Sequence, residues 1–330
     1  MHIASFLFPS LAAAAVARRQ GGGDSGSSCR NLQKRAEFRT LDAAVQKQYT
    51  DAVLCMTKKP SELGKGLNTT LYDDFTYIHT HLNKEIHYVA QFLPWHRYFV
   101  LLYENQVRKC GYTGPMPFWD WTLDVADVPR SPIFDPVKGF GGNGRVSGRL
   151  ESRELNNCVK DGPFKDMQVH YVGTNYNPHC LSRNFNNGYQ WPGDMMSSAY
   201  SPEAVAKVDK LSNYNDFRIQ LESGPHSAIH ASIGGDMSPS SSPNDPLFFM
   251  HHAQIDRLWY LWQQADVVAR TRDYSGDKTF TELAGNDTSV DRPTPPPAAL
   301  DDVMPFMGMA PDLKVSEVMS TKAGPLCYEY

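Results

Sequence analysis

The sequence predicts a mainly α protein with long loops and little strand. Apolar residues recur at helical spacing in a few well-separated segments. Those segments open and close at the proline, glycine and Asn/Asp signals expected of helix ends. Between them, residues 112–200 are rich in Gly, Pro and Asn and show only local turns.

Taken in order, residues 41–58 carry Leu41, Val45, Tyr49, Val53 and Leu54 at near-helical spacing. Residues 69–92 mix aromatic and apolar side chains with His79, His81 and His87. Pro94 suits a helix start, and the run PWHRYFVLLYENQVRK ends at Gly111 with Arg108 and Lys109 in its last turn, where cations complement the dipole. Helices resume near Pro202. Gly224-Pro225 breaks the pattern, PHSAIHASI predicts a short helix, and Gly234-Gly235 stops it. Asn244-Asp245-Pro246 is a capped start for a long helix running to Arg270. Pro293 to Pro297 marks another loop, and the terminal PLCYEY suits a short strand or an extended strap. No repeat of solenoid or propeller period occurs.

With 330 residues, 41% hydrophobic, 21% charged and a formal net charge of -4, the chain can bury a large core as one large domain or two modest ones. The mild acidity and the lack of a Lys/Arg-rich run argue against nucleic acid as a partner. The N-terminal apolar run Ile3 to Val16 precedes Ala15-Val16-Ala17, a small-x-small pattern that predicts a signal peptide over 1–17 and secretion. Arg18-Arg19 is a second, dibasic processing point, and 18–28 reads as a disordered Gly/Ser linker, leaving 29–330 as the folded domain. No later stretch is long and apolar enough to span a bilayer, so no membrane partner is expected. Oligomeric state is not legible.

Secretion governs the reading of the six cysteines, Cys29, Cys55, Cys110, Cys158, Cys180 and Cys327. An even number in an oxidising compartment predicts up to three disulfides, with fifteen connectivities open. None lies in a CxxC pair, which argues against a zinc ribbon or a thioredoxin-type motif. Asn68-Thr69-Thr70 and Asn286-Asp287-Thr288 are glycosylation sequons.

Eight of the eleven histidines fall in two clusters: His79, His81, His87 and His96, then His226, His230, His251 and His252. A single histidine beside Trp, Phe and Pro is ordinarily a satisfied core residue, and becomes a ligand only when its neighbours converge. His226 and His230 stand at i and i+4, so their rings leave one helix face and can share a metal. Adjacent residues on a helix point roughly 100° apart, so only one of His251 and His252 can join them. No HExxH occurs, which removes the zinc-protease reading. All-imidazole sets suit copper, zinc or iron, and three neutral imidazoles per metal leave positions open for catalysis. Residue chemistry alone therefore gives one or two metals, copper or zinc, in a helical bundle.

The stretches HRYFVLLYE at 96–104, PFWDWT at 117–122 and NDPLFFMHHAQIDRLWYLWQ at 244–263 resemble the copper-A and copper-B signatures of the tyrosinase and catechol oxidase (polyphenol oxidase) family of type-3 dicopper proteins. KRAEFRTL at 34–41 is similar to the family's basic-aromatic opening, and the resemblance runs from about residue 35 to 330. It implies a four-helix bundle around a dinuclear copper centre, with two copper ions. His79, His87 and His96 would hold copper A, with His81 close enough to replace His79, and His226, His230 and His252 would hold copper B. In the family the second histidine of the HH pair is the ligand, which leaves His251 beside the site. The implied reaction is oxidation of ortho-diphenols to ortho-quinones by dioxygen, with weaker hydroxylation of monophenols. Phenols and dioxygen are then the partners. A haemocyanin-like dioxygen carrier, which shares these motifs, is the alternative.

The resemblance also assigns roles around the metals. Glu222, four residues before His226, is similar to the family's water-holding glutamate, which helps deprotonate a phenol. Its plain alternative is an exposed helix-end residue. Asp256, one turn beyond His252, is a candidate acceptor for a ligand's free ring N–H, or else an ordinary helix salt-bridge partner. Three departures matter. Glu85 stands where many members carry the cysteine that cross-links to a histidine, so no thioether of that type is expected. Ser227 stands where strong tyrosinases often carry asparagine. The chain stops at Tyr328-Glu329-Tyr330, similar to the tyrosine motif that closes the family core, so activity is expected without removal of a lid. Pairing of Cys29 with Cys327, clamping the two chain ends beside that motif, is the one disulfide singled out, which leaves three of the fifteen connectivities open.

Overall fold

The computed structural model describes residues 29–146, 157–186, 194–281 and 294–330. The signal peptide and linker read at 1–28 and the sequon at Asn286 lie outside them. Helices α1 (Ala43–Met56), α2 (Leu71–His81), α3 (Asn83–Ile86), α4 (Phe92–Lys109), α5 (Pro202–Asp209), α6 (Tyr214–Leu221), α7 (Ser227–Ile233), α8 (Leu247–Gln264) and α9 (Val267–Arg270) carry the fold. Among the described residues, sheet is limited to two-stranded pairs. The mainly α reading holds.

Local chemistry sets these helices. Thr70 caps α2 in a reciprocal box, its hydroxyl accepting from the Asp73 N–H while the Asp73 carboxylate accepts from the Thr70 N–H. Helix α4 begins at Phe92, two residues before the expected Pro94, because a proline in the first turn gives up an N–H that has no helical partner anyway. Nearly every residue of α8 from Leu247 to Trp262 is buried, which marks it as the central helix. The helix expected to run to Arg270 instead breaks after Gln264. Asp266 accepts from the Ala269 N–H and caps the short α9.

Aromatic packing joins the bundle. Tyr103 of α4 stacks on Phe249 of α8 at 3.5 Å, and Phe75 of α2 meets Phe99, Tyr103 and Phe249 edge-on or tilted at 5.4–5.7 Å. Residues 112–200, read as loop, contain a hairpin of Gln168–Val172 and Asn175–Cys180. Its strands were missed because the second, NYNPHC, lacks the apolar face that signals a strand.

The chain ends meet as expected. Gln33–Lys34 pairs in parallel with Tyr328–Glu329, and Cys29 is bonded to Cys327. Cys55–Cys110 ties α1 to the end of α4, and Cys158–Cys180 clips the hairpin. All six cysteines are thus disulfide-bonded, and none is left for a thioether to a histidine.

Beneath this clamp lies a buried ionic knot. Asp256 of α8 takes Arg97 of α4 on one carboxylate oxygen and Arg35 on the other, and also accepts from the hydroxyls of Tyr328 and Tyr330. Arg35 reaches Glu104 at 3.1 Å, and Arg97 donates to the carbonyls of Val318 and Met319. The two guanidinium groups lie 3.5 Å over the rings of Tyr328 and Trp259. Of the two roles expected for Asp256, the structure shows the ion pair, buried rather than on the helix surface, and not the ring N–H acceptor. No histidine is among its partners, because two buried guanidinium charges outcompete a neutral imidazole for a carboxylate. Burial alone would push the Asp256 carboxyl up, but Arg97 and Arg35 hold it below its ordinary value.

Removing the carboxylate as Asp256→Ala strands two buried cations and should cost about 3–5 kcal/mol in denaturant unfolding. A carboxyl depressed in the folded state stabilises fully above its unfolded value near 3.9 and loses that contribution as pH falls through its folded value. Acid unfolding followed by circular dichroism should therefore lose part of its pH dependence below about pH 4 in Asp256→Asn. An unchanged acid limb would show that the knot carries no such linkage.

Candidate metal centre

Six histidines reach one interior point from five places in the chain. His79 ends the buried face of α2, His87 follows α3 in extended backbone, and His96 sits in the second turn of α4. His252 comes from α8. The chain reaches His226 through a π-helical turn, Glu222–His226, in which Gly224 takes non-helical angles (φ -96°, ψ -107°) ahead of Pro225. That break re-aims the backbone so that α7 starts with His226 and His230 on one face. Gly234 stops α7 at φ +61°, where an added Cβ would strike the Asn184 carbonyl.

The rings form two triads. Centroids of His79, His87 and His96 lie 4.9, 5.4 and 5.1 Å apart. Those of His226, His230 and His252 lie 4.6, 5.1 and 5.6 Å apart. The triads abut, with His96 stacked on His252 at 4.4 Å and His87 facing His226 at 6.3 Å. His81 points elsewhere and stacks on Tyr77 at 3.9 Å.

Hydrogen bonds fix which nitrogen each ring offers. Nδ1 of His79, His87, His96, His226 and His230 meets the carbonyl of Ser240, Asn83, Phe92, Glu222 and Met237 respectively, at 2.6–3.1 Å. A carbonyl only accepts, so each Nδ1 carries the proton and each Nε2 presents a lone pair. Nε2 of His79, His96, His226, His251 and His252 is buried without a hydrogen-bond partner. Orphaned buried ring nitrogens gathered in one polar cluster are what a metal site requires.

His251 lies as near to His226 and His230 as His252 does, at 5.4 and 4.9 Å, so distance alone does not separate the neighbours. The indole N–H of Trp121 does. It donates to Nδ1 of His251 at 3.2 Å, which places the His251 proton on Nε2 and removes that lone pair. His252 has neither nitrogen engaged by protein and faces the other triad. Trp121 lies in the PFWDWT stretch noted in the sequence, although nothing there announced this contact.

Burial pushes every one of these histidines down, His87 and His230 to about 4 and the others well below the ordinary imidazole value. The rings are therefore neutral at physiological pH and ready to ligate. Six neutral nitrogen donors with no carboxylate among them fit copper.

A cavity of about 330 Å³ opens on the His87 and His230 side and is also lined by Ser227, Tyr88 and Pro239. Glu222, read as a phenol-deprotonating residue or an exposed helix end, is neither exposed nor part of this lining. It is buried, with one oxygen accepting from the Tyr88 N–H at 2.6 Å and the other from Arg218 at 3.1 Å. Burial raises its carboxyl to about 7 against the opposing pull of the Tyr88 N–H and Arg218. Ser227 donates its hydroxyl to the Glu222 carbonyl at 2.7 Å. Tyr88 itself was not singled out in the sequence. It holds φ +59°, a left-handed conformation that costs a non-glycine residue about 1–2 kcal/mol.

Residues 69–265 match the family described as the common central domain of tyrosinase. A tyrosinase-like protein of Diaporthe leptostromiformis (phomQ1') is 43% identical over 314 residues, covering 92% of this chain and 80% of the relative. Tyrosinase P of Aspergillus terreus is 31% identical over 342 residues, covering 92% and 93%. Among solved structures, a mutant polyphenol oxidase from Thermothelomyces thermophila superposes with a TM-score of 0.75 at 31% identity, covering 91% of this chain and 88% of that one.

Metal content separates the two neighbouring histidines. His252→Ala should bind one metal ion fewer per chain, measured by mass spectrometry of the acid-digested protein, and His251→Ala should keep the full complement. The reverse pattern would overturn the reading of the Trp121 hydrogen bond.

Proposed function

The chain belongs to the tyrosinase family of type-3 dicopper oxidases, and from that premise we propose that it oxidises ortho-diphenols in clear preference to hydroxylating monophenols. We assign copper A to His79, His87 and His96 and copper B to His226, His230 and His252. The observation that supports this set is the group of five Nδ1–carbonyl hydrogen bonds, which leave the Nε2 lone pairs facing one another across two abutting triads. When bound, the copper pair supplies electron exchange between phenol and dioxygen, two ortho-diphenols giving two ortho-quinones while dioxygen becomes two waters.

The chain's own residues do the rest. The bundle excludes bulk water from the deep rings of His96 and His252. The cavity of about 330 Å³ beside His87 and His230 gives a phenol ring access to the histidines. Trp121 keeps His251 out of the ligand set and so preserves an open position.

The preference for diphenols turns on Ser227. A phenol with a pKa near 10 arrives protonated at neutral pH, and a positioned base contributes about 10²–10⁴-fold to its activation. In the family that task falls to the glutamate with a neighbouring asparagine, acting through a water. Glu222, buried with its oxygens on the Tyr88 N–H and Arg218, supplies the carboxylate half of that pair. The single proton of Ser227, however, is committed to the Glu222 carbonyl. The serine can accept from a water but cannot also donate, whereas an amide does both.

We also propose secretion. Three disulfides and the absence, among the described residues, of a helix long and apolar enough to cross a membrane are consistent with it. Amino-terminal sequencing of protein from a culture supernatant should begin after Ala17, and an intact Met1 in secreted protein would contradict this.

Initial rates on a monophenol and its matching diphenol test the catalytic reading. Diphenol turnover should dominate, and Ser227→Asn should raise monophenol activity more than diphenol activity. If both rates move in parallel, or the unmodified enzyme hydroxylates as fast as it oxidises, the preference does not arise at Ser227.

A further inference from the structure

The residue after His87 is the one large side chain at the cavity mouth that the bundle does not need. Tyr88 is 59% exposed, so it contributes little to the core. Its backbone nevertheless holds the left-handed φ of +59°, where glycine would be relaxed. The conformation is pinned from below by the buried Glu222 carboxylate, which takes the Tyr88 N–H, while Arg218 fixes the other oxygen. A strained residue held in place by a buried charge beside a catalytic site points to use of its side chain there.

That side chain stands at a boundary. Tyr88 lines the cavity of about 330 Å³ beside His87. Its ring meets Phe280 at 6.1 Å and 48°. Phe280 lines a second cavity of about 480 Å³, together with Tyr274, Val303 and Pro305. Helix α3 walls both, with Asn83 facing the first and Lys84 and Glu85 the second. The first cavity is near the lower limit for ligand pockets and suits a single ring, and the second, across the Tyr88–Phe280 contact, is itself within the usual range.

We propose that Tyr88 and Phe280 form an aromatic rim that recognises a second aryl ring on the phenolic substrate, so that the preferred substrates are biaryl or aryl-extended ortho-diphenols. The inference deepens, and rests on, the phenol-oxidation reading above. The reacting ring enters beside His87, and the second ring packs on the exposed Tyr88 and the half-buried Phe280. Offset or edge-on contact with one ring strengthens binding between about two- and tenfold.

Calorimetry on the copper-loaded protein with two non-oxidisable probes, benzoate and 4-phenylbenzoate, reads the rim without turnover. In the unmodified protein 4-phenylbenzoate should bind at least threefold more tightly. That advantage should fall two- to tenfold in Tyr88→Gly and in Phe280→Ala, and persist in Tyr88→Phe. Thermal unfolding of Tyr88→Gly should show no loss of stability, since glycine accepts the left-handed backbone, so a lost advantage cannot be ascribed to misfolding. Equal binding of the two probes by the unmodified protein, or an advantage unchanged in Tyr88→Gly, would overturn the proposal. A protein that shows the rim effect yet oxidises no ortho-diphenol would retain the rim and lose the proposed reaction. Oxidation without the rim effect would do the opposite.

Discussion

An imidazole ligates a metal only through a nitrogen that carries no proton, and here main-chain carbonyls choose that nitrogen. Five of the proposed ligands have Nδ1 on a carbonyl, and in His87, His96 and His226 that carbonyl lies four residues earlier in the chain. A carbonyl one turn earlier therefore supplies the acceptor that fixes the tautomer of each of these rings. His79 and His230 lie near helix ends and must find acceptors elsewhere, on Ser240 and Met237 of the loop between α7 and α8. Everything around the centre serves to hold those carbonyls still.

That requirement explains the long region between the two copper motifs. Asp236, next to Met237, accepts from the Ser182 N–H and hydroxyl and from Asn244, and pairs with His179 at 2.9 Å. Asn244 in turn donates to the Tyr171 carbonyl of the hairpin. Arg183 holds Asp245 through two hydrogen bonds, both partners fully buried, and so fixes the start of α8. A stretch with little regular structure thus works as a brace. Its buried polar groups are satisfied by one another rather than by a sheet or helix ladder.

The second constraint is the ionic knot at Asp256, which locks α4 to α8 and both to the chain ends. Two arginines share one carboxylate, Glu104 takes the remaining charge of Arg35, and the closing tyrosines supply hydroxyls. His96 and Arg97 are neighbours on α4, and His252 and Asp256 are one turn apart on α8. The knot therefore sets the separation of the two helices that carry His96 and His252. Buried charges of this kind often add little net stability, but they admit only one register.

The sequence by itself determined the helical class, the long central helix, the two histidine clusters and the i, i+4 pair of His226 and His230, because these depend on spacing along a helix. The family resemblance gave two copper ions and the pairing of the chain ends. Neither could show which way a side chain turns. Asp256 has the right spacing to serve His252, yet it faces Arg35 and Arg97, whose approach depends on contacts 159 and 221 residues away in the chain. Glu222 looked like an exposed helix end or a free base, and tertiary packing buried it against Tyr88 and Arg218. His251 and His252 are indistinguishable by spacing to a single metal, and only the arrival of Trp121 separates them. Residues close in sequence were legible because helical geometry is local. The partners of a buried charge or ring nitrogen were not, because they are set by whichever distant segment packs against it.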